Sequence, residues 1–199
     1  PRPGDITLAA AAVADADALL AVGGAQAVAA LAYGAGPVPP CAVVVGPGNR
    51  WVTAAKRLVA GRVGIDMLAG PSELVVLADE TADPSVVAAD LLAQAEHDPD
   101  ALPIVVATSS RLVDSVEDEI TRQLTGLPTR STAEEALTNG FAVVCGDLET
   151  AIAVCDRLAP EHLHVATEDA DAVAARARHW GGLFVGANSA EVFGDYGIG

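Results

Sequence analysis

Positive charge is scarce in this sequence: 11 Lys and Arg stand against 27 Asp and Glu, giving a formal net charge of -16 over 199 residues. The summed field repels phosphate backbones and anionic lipid surfaces, so nucleic acid and membranes are not expected as partners. The carboxylates are dispersed, as on a solvated surface. Cysteine is sparse too. Cys41, Cys145 and Cys155 form no CxxC pair and sit in apolar segments, where a free thiol packs as a small hydrophobe; a reducing cytoplasm is the expected compartment. Long apolar runs are missing: residues 8–14 are soon followed by Asp15 and Asp17, well short of a bilayer crossing. No signal-peptide pattern follows Pro1-Arg2-Pro3-Gly4, and the chain does not open on methionine, as expected of a fragment or a processed product. What is present is apolar content of 51%, ample for one large domain or two small ones.

That content is ordered. Short β-branched runs alternate with Ala-rich stretches of helical period, which predicts parallel strands joined by crossover helices, an α/β fold. Strands are expected over 19–22, 41–45, 73–78, 104–107, 142–145, 163–166 and 183–185, most of them apolar throughout, as strands covered on both faces are. Asp83-Pro84 supplies an N-cap and a first-turn proline, and Ser131 with Glu134 matches a capping box. The glycine-rich stretch 61–70 breaks the helical pattern, placing a seam near residue 70 between lobes 1–70 and 71–199.

Four segments carry candidate chemistry. Gly23-Gly24-Ala25-Gln26 and Gly46-Pro47-Gly48-Asn49 each read as a strand-to-helix turn whose free amides could hold an anion, although neither has GxGxxG spacing and plain chain reversal explains either one. Gln94-Ala95-Glu96-His97 ends a helix with an amide and an imidazole three positions apart, able to share a ligand; capping or solvent contact is the plainer reading. Ala159-Pro160-Glu161-His162-Leu163-His164 places a carboxylate and an imidazole side by side where a helix gives way to a strand, a pairing suited to proton transfer near neutral pH. His164 shares the face of His162 in a regular strand, but for it and for a helix-borne His179 an ordinary exposed position is expected. Asp195 in Gly194-Asp195-Tyr196-Gly197 is a possible carboxylate ligand in what is otherwise a turn.

The segments GGAQAVAALAYG, VGPGNRWVTAAKR, IDMLAGPSELVVLAD, DLLAQAEHDPDA, LAPEHLHV and FGDYGIG, in this order, resemble those of the histidinol dehydrogenases across nearly the whole chain. The resemblance implies two incomplete Rossmann-like lobes with mostly parallel sheets and flanking helices, assembled as a homodimer with a shared active site. It implies Zn2+ and NAD as cofactors and oxidation of L-histidinol to L-histidine through an aldehyde. Residue by residue, it makes Gln94, His97 and Asp195 zinc ligands that also meet substrate, and Ser72 a further substrate contact. It makes Glu161 and His162 the acid/base pair and gives Gln26 and Asn49 to the nicotinamide cofactor. Family segments before Pro1 and after Gly199, one of them bearing a His ligand from the neighbouring subunit, lie outside this sequence, so the chain alone is expected to be inactive. The alternative is a noncatalytic α/β binding module derived from the same family.

Overall fold

Apolar runs too short to be helices find their partners by lying parallel to one another, and the Ala-rich stretches between them return the chain across the sheet. The computed structural model describes residues 2–66, 68 and 72–191. The chain forms two compact units, Pro1–Gly70 and Pro71–Gly199.

The first unit is small. Helix α1 (Asp5–Val13) has no buried residue, while α2 (Gly24–Tyr33) and α3 (Arg50–Val59) enclose a core of Val28, Ala32, Val44, Val59 and Val63. Two short parallel strands, β1 (Val43–Val44) and β2 (Gly64–Ile65), pair Val43 with Gly64 and Val44 with Ile65. A buried lysine ties the turn between β1 and α3 in place. Lys56, only 3% exposed, donates to the Gly46 carbonyl at 2.9 Å and pairs with Asp66, whose other oxygen accepts from the Gly46 amide at 2.8 Å.

The second unit is a five-stranded, wholly parallel sheet. Its elements are β3 (Glu73–Ala78), α4 (Pro84–Ala95), β4 (Leu102–Ala107), α5 (Ser110–Leu124), α6 (Arg130–Leu137), β5 (Phe141–Val144), α7 (Leu148–Leu158), β6 (His162–Ala166), α8 (Ala170–Ala174) and β7 (Gly182–Val185). The strand order β5-β4-β3-β6-β7 means that the chain steps outward from β3 to β5, then crosses back to β6 and builds in the other direction. Alternate residues of β3 face opposite layers. Leu74 and Val76 pack with Val87 and Leu91 of α4 and Val116 of α5, while Val75 and Leu77 pack with Ile152 and Cys155 of α7 and Val173 of α8. Each Val or Leu buried this completely contributes about 1.5–3 kcal/mol. Burial first, and then the neighbouring Cys145 sulfur, pushes the Cys155 thiol up to about 12, so it packs as a hydrophobe.

Asp83 caps α4 by accepting from the Ser85 amide at 2.8 Å, with Pro84 in the first turn, as expected. Other expectations need correction. Residues 19–22 are not a strand: among the described residues none pairs with them, and Leu19 and Val22 are exposed. Ser131 is not a cap but lies inside α6; the preceding Thr129 spends its hydroxyl on Glu96 at 2.6 Å, and Glu134 pairs with Arg130 at 2.7 Å. His179 lies beyond α8 in a segment without helix, its amide donating to the Asp156 carboxylate at 3.1 Å. No helix among the described residues is long and apolar enough to cross a membrane.

His164 is the largest departure. Strand β6 lies between β3 and β7, so His164 is interior and fully buried rather than on an exposed edge. Its Nε2 donates to the Gly186 carbonyl at 3.0 Å, and its Nδ1 stands 2.7 Å from an Asp90 carboxylate oxygen. Those two atoms meet at ion-pair distance without hydrogen-bond alignment, and ionic attraction depends little on angle. Burial opposes the charged imidazole, but the Asp90 carboxylate and the Gly186 carbonyl together outweigh it and hold the His164 pKa above the ordinary histidine value.

The raised pKa gives a signed expectation. The stabilisation from charged His164 is complete below the unfolded histidine's value of about 6.5 and is lost as pH rises through the higher folded value. Denaturant unfolding of the wild type and of a neutral Asp90→Asn/His164→Gln pair, between about pH 6 and 9, should therefore show the wild type's relative stability declining as pH rises. A difference that is constant or grows with pH would contradict a charged His164.

Candidate functional site

Parallel strands with a returning helix dictate where the candidate side chains gather. Helix α4 leaves the carboxyl end of β3 and runs back to the start of β4, so Gln94 in its last turn and His97 just beyond it lie at the amino edge of the sheet. Ser72 is at the same edge, its carbonyl accepting from the Leu102 amide at 3.1 Å. Register brings β6 alongside, with Leu74 opposite His162 and His162 opposite Gly182. Ser72, Gln94, His97, Glu161 and His162 therefore share one edge of the second unit. In open α/β sheets the usual crevice is at the carboxyl ends, where the strand order reverses. Between β3 and β6 that end carries Asp79, which accepts from the Glu168 amide at 3.0 Å and from the Thr81 hydroxyl at 2.6 Å.

Local geometry sets each group differently. Helix α7 ends at Leu158, Ala159 turns through the left-handed region at φ 49°, and Pro160 begins the lead into β6. Glu161 is exposed and accepts from the Glu73 amide at 3.4 Å. Its carbonyl accepts from the Gly182 amide at 2.7 Å, and a Cβ on Gly181 would stand 2.6 Å from that same oxygen, so glycine is required for this approach. His162 is half-buried, edge-on to the Phe184 ring at 5.9 Å between centroids, with Nδ1 3.5 Å from a carboxylate oxygen of the buried Glu191.

Gln94 and His97 diverge in environment. His97 is exposed just past the helix, its amide 3.4 Å from the Gln94 carbonyl. Gln94 is wholly buried, and neither its amide oxygen nor its amide nitrogen finds a partner among the described residues. Such an orphan is rare in native proteins and costs about 1–3 kcal/mol unless a ligand completes it. Asp195 lies outside the described residues, and among those described no three His, Cys, Asp or Glu are grouped to hold a metal ion.

Gln26 and Asn49 belong to the first unit. Gln26 is exposed in the first turn of α2, which follows a nonregular segment rather than the expected strand. The second turn does follow a strand, β1, and Asn49 caps α3 by accepting from the Trp51 and Val52 amides at 3.1 and 3.3 Å. Two residues were not singled out from the sequence, Asp90 and Glu191, and His164 was expected to be exposed rather than buried. Asp90 had a signal, as the one charge in the otherwise uncharged helix PSVVAADLLAQA.

The histidinol dehydrogenase family model matches residues 2–199. The chain is 52% identical to a curated histidinol dehydrogenase of Thermus thermophilus over 189 residues, which are 95% of this chain and 46% of the relative. It is 49% identical to that of Parasynechococcus marenigrum over 96% of this chain and 44% of the relative, so it spans under half the length of the curated relatives it matches. A crystal structure of histidinol dehydrogenase from Elizabethkingia anophelis superposes with a TM-score of 0.81 at 40% identity, covering 87% of this chain and 40% of that one. A γ-glutamyl phosphate reductase from Thermotoga maritima, at 15% identity and a TM-score of 0.52 over 79% of this chain and 44% of that one, shares the fold alone. With a family model matched over nearly its full length and relatives close to half identical, this chain belongs to the histidinol dehydrogenase family.

Proposed function

We propose that the chain is part of a zinc- and NAD-dependent enzyme that oxidises L-histidinol to L-histidine through histidinal, the last step of histidine biosynthesis, in a cytoplasmic homodimer. The observation that carries the reading is Gln94: a buried amide without a partner among the described residues, on the same sheet edge as the exposed His97 imidazole and the Glu161 and His162 side chains. An amide, an imidazole and a carboxylate make a mixed N,O donor set that suits a borderline ion such as zinc. Gln94, His97 and Asp195 would hold that ion, which supplies Lewis acidity and a fixed anchor for substrate. NAD, contacted by Gln26 and Asn49, would accept hydride.

The chain's own groups do the rest. Ser72, at the start of β3, would hydrogen-bond substrate. Glu191 faces Nδ1 of His162, which leaves Nε2 of that ring to take the alcohol proton as hydride departs. Glu161 is anchored at one carboxylate oxygen by the Glu73 amide, so the carboxylate is aimed while still exposed. It would deprotonate the water that adds to the aldehyde.

Two experiments test this. Gln94→Ala and His97→Ala should each weaken zinc binding at least about tenfold, the lower bound that even an outer-shell partner of a metal site costs. Zinc competition against a chromophoric chelator reads the loss, and circular dichroism checks the fold; unchanged affinity in both variants would make the helix-terminal pair structural. In a chain of the relatives' full length, Glu161→Gln should slow NADH formation from histidinal more than from histidinol, and His162→Asn should do the reverse. The larger loss in each case should be about 10²–10⁴-fold in single turnover. Equal losses with both substrates in both variants would refute this division of labour.

A further inference from the structure

We infer that the buried Asp90–His164 pair is a positioning device that sets Gln94 on α4 against the start of β6, an inference resting on the reading of Gln94 as a ligand. The His164 ring joins three elements: Asp90 on α4 at 2.7 Å, its own strand β6, and the Gly186 carbonyl after β7 at 3.0 Å. Asp90 is four residues before Gln94, so the two share a helix face one turn apart, and both are buried. His164 is two residues after His162 and shares its sheet face, which α4 covers. The pair thus sits one helical turn and one pleat deeper than Gln94 and His162. Gly186 also opens the segment that reaches Glu191, so the same ring anchors the base of the segment facing Nδ1 of His162.

Energetics explain why holding the helix is not sufficient as a role. Around the pair this face is packed with Leu74, Val76, Val87 and Leu91, and two more apolar side chains would secure α4 at least as well, because a buried ion pair is often no more stabilising than a hydrophobic pair of similar volume. What apolar packing does not supply is a fixed point. With Nε2 committed to Gly186, Nδ1 is held in one place, and the ion-pair contact of 2.7 Å sets how far from it the Asp90 carboxylate can stand. That removes small slides and rotations of α4 that Val and Leu contacts tolerate, and a rigid helix transmits the constraint one turn on to Gln94.

The test separates holding from aiming. In the 199-residue chain, Asp90→Leu/His164→Leu is compared with wild type and with Gln94→Ala by urea unfolding, by zinc competition and by the Gln94 side-chain amide resonances in 1H–15N spectra. The expected result is a leucine pair that unfolds cooperatively at an unchanged or higher midpoint, with shifted or broadened Gln94 amide resonances and zinc affinity lower by about tenfold or more. A stable leucine pair with wild-type Gln94 resonances and wild-type zinc affinity would overturn the inference. If Gln94→Ala leaves zinc binding intact, the ligand reading fails by itself and the Gln94 resonances alone decide the positioning claim. Should the leucine pair not fold, Asp90→Asn/His164→Gln takes its place with the same expected loss and the same overturning result.

Discussion

Parallel pairing of β3 with β6, starting at Leu74 opposite His162, is the contact from which the arrangement of the second unit follows. It joins the two halves of the sheet, because β3 is reached first and β6 only after the chain has built β4 and β5 on the other side. It also brings the residues before β3, Ser72 and Glu73, beside those opening β6, Glu161 and His162. Since a parallel strand must be followed by a returning helix, α4 necessarily delivers Gln94 and His97 to that same edge. Shifting the register by one residue would turn His162 and His164 to the α7 face and leave Asp90 and Gln94 facing leucine and valine.

The interior beneath this edge is unusual for its polar content. Cys155, on the α7 face, is buried among Val75, Leu77 and Ile152, with its thiol pushed up to about 12 by burial. The α4 face instead admits an ion pair and an orphaned amide among its valines and leucines. Leaving such groups in a core costs stability that hydrophobic replacements would recover, and folds keep them where a site needs direction or a vacant donor. In the first unit Lys56 and Asp66 make a comparable clasp around Gly46, binding both its amide and its carbonyl and so holding the turn that ends at Asn49.

Much of this was legible in the sequence, for reasons that differ by element. Strand β3 matched its expected bounds because five consecutive apolar residues follow Glu73, with a proline and a serine before them in the sequence and an acidic stretch after. The Asp83-Pro84 start of α4 was equally plain, since its chemistry is local. Residues 19–22 had strand composition but lack a partner, and pairing is a tertiary fact that composition does not carry. Ser131 with Glu134 had the spacing of a cap, yet the helix starts earlier and Thr129 serves Glu96 instead. Glu161 and His162 could be read as a pair because they adjoin. Asp90 and His164 could not, since their meeting depends on the packing of α4 over β6, and Glu191 reaches His162 only after β7 has been laid down.

If the second unit works from the amino edge of its sheet, Gln94 is a donor to the metal ion. Diffraction from crystals soaked in zinc, collected on both sides of the zinc absorption edge, tests it directly. The expected result is an anomalous peak in bonding contact with the Gln94 amide oxygen, at the end of α4 and on the side of Glu161 and His162. A peak at the carboxyl ends of β3 and β6, near Asp79 and Glu168, with the Gln94 amide still without a partner, would contradict it.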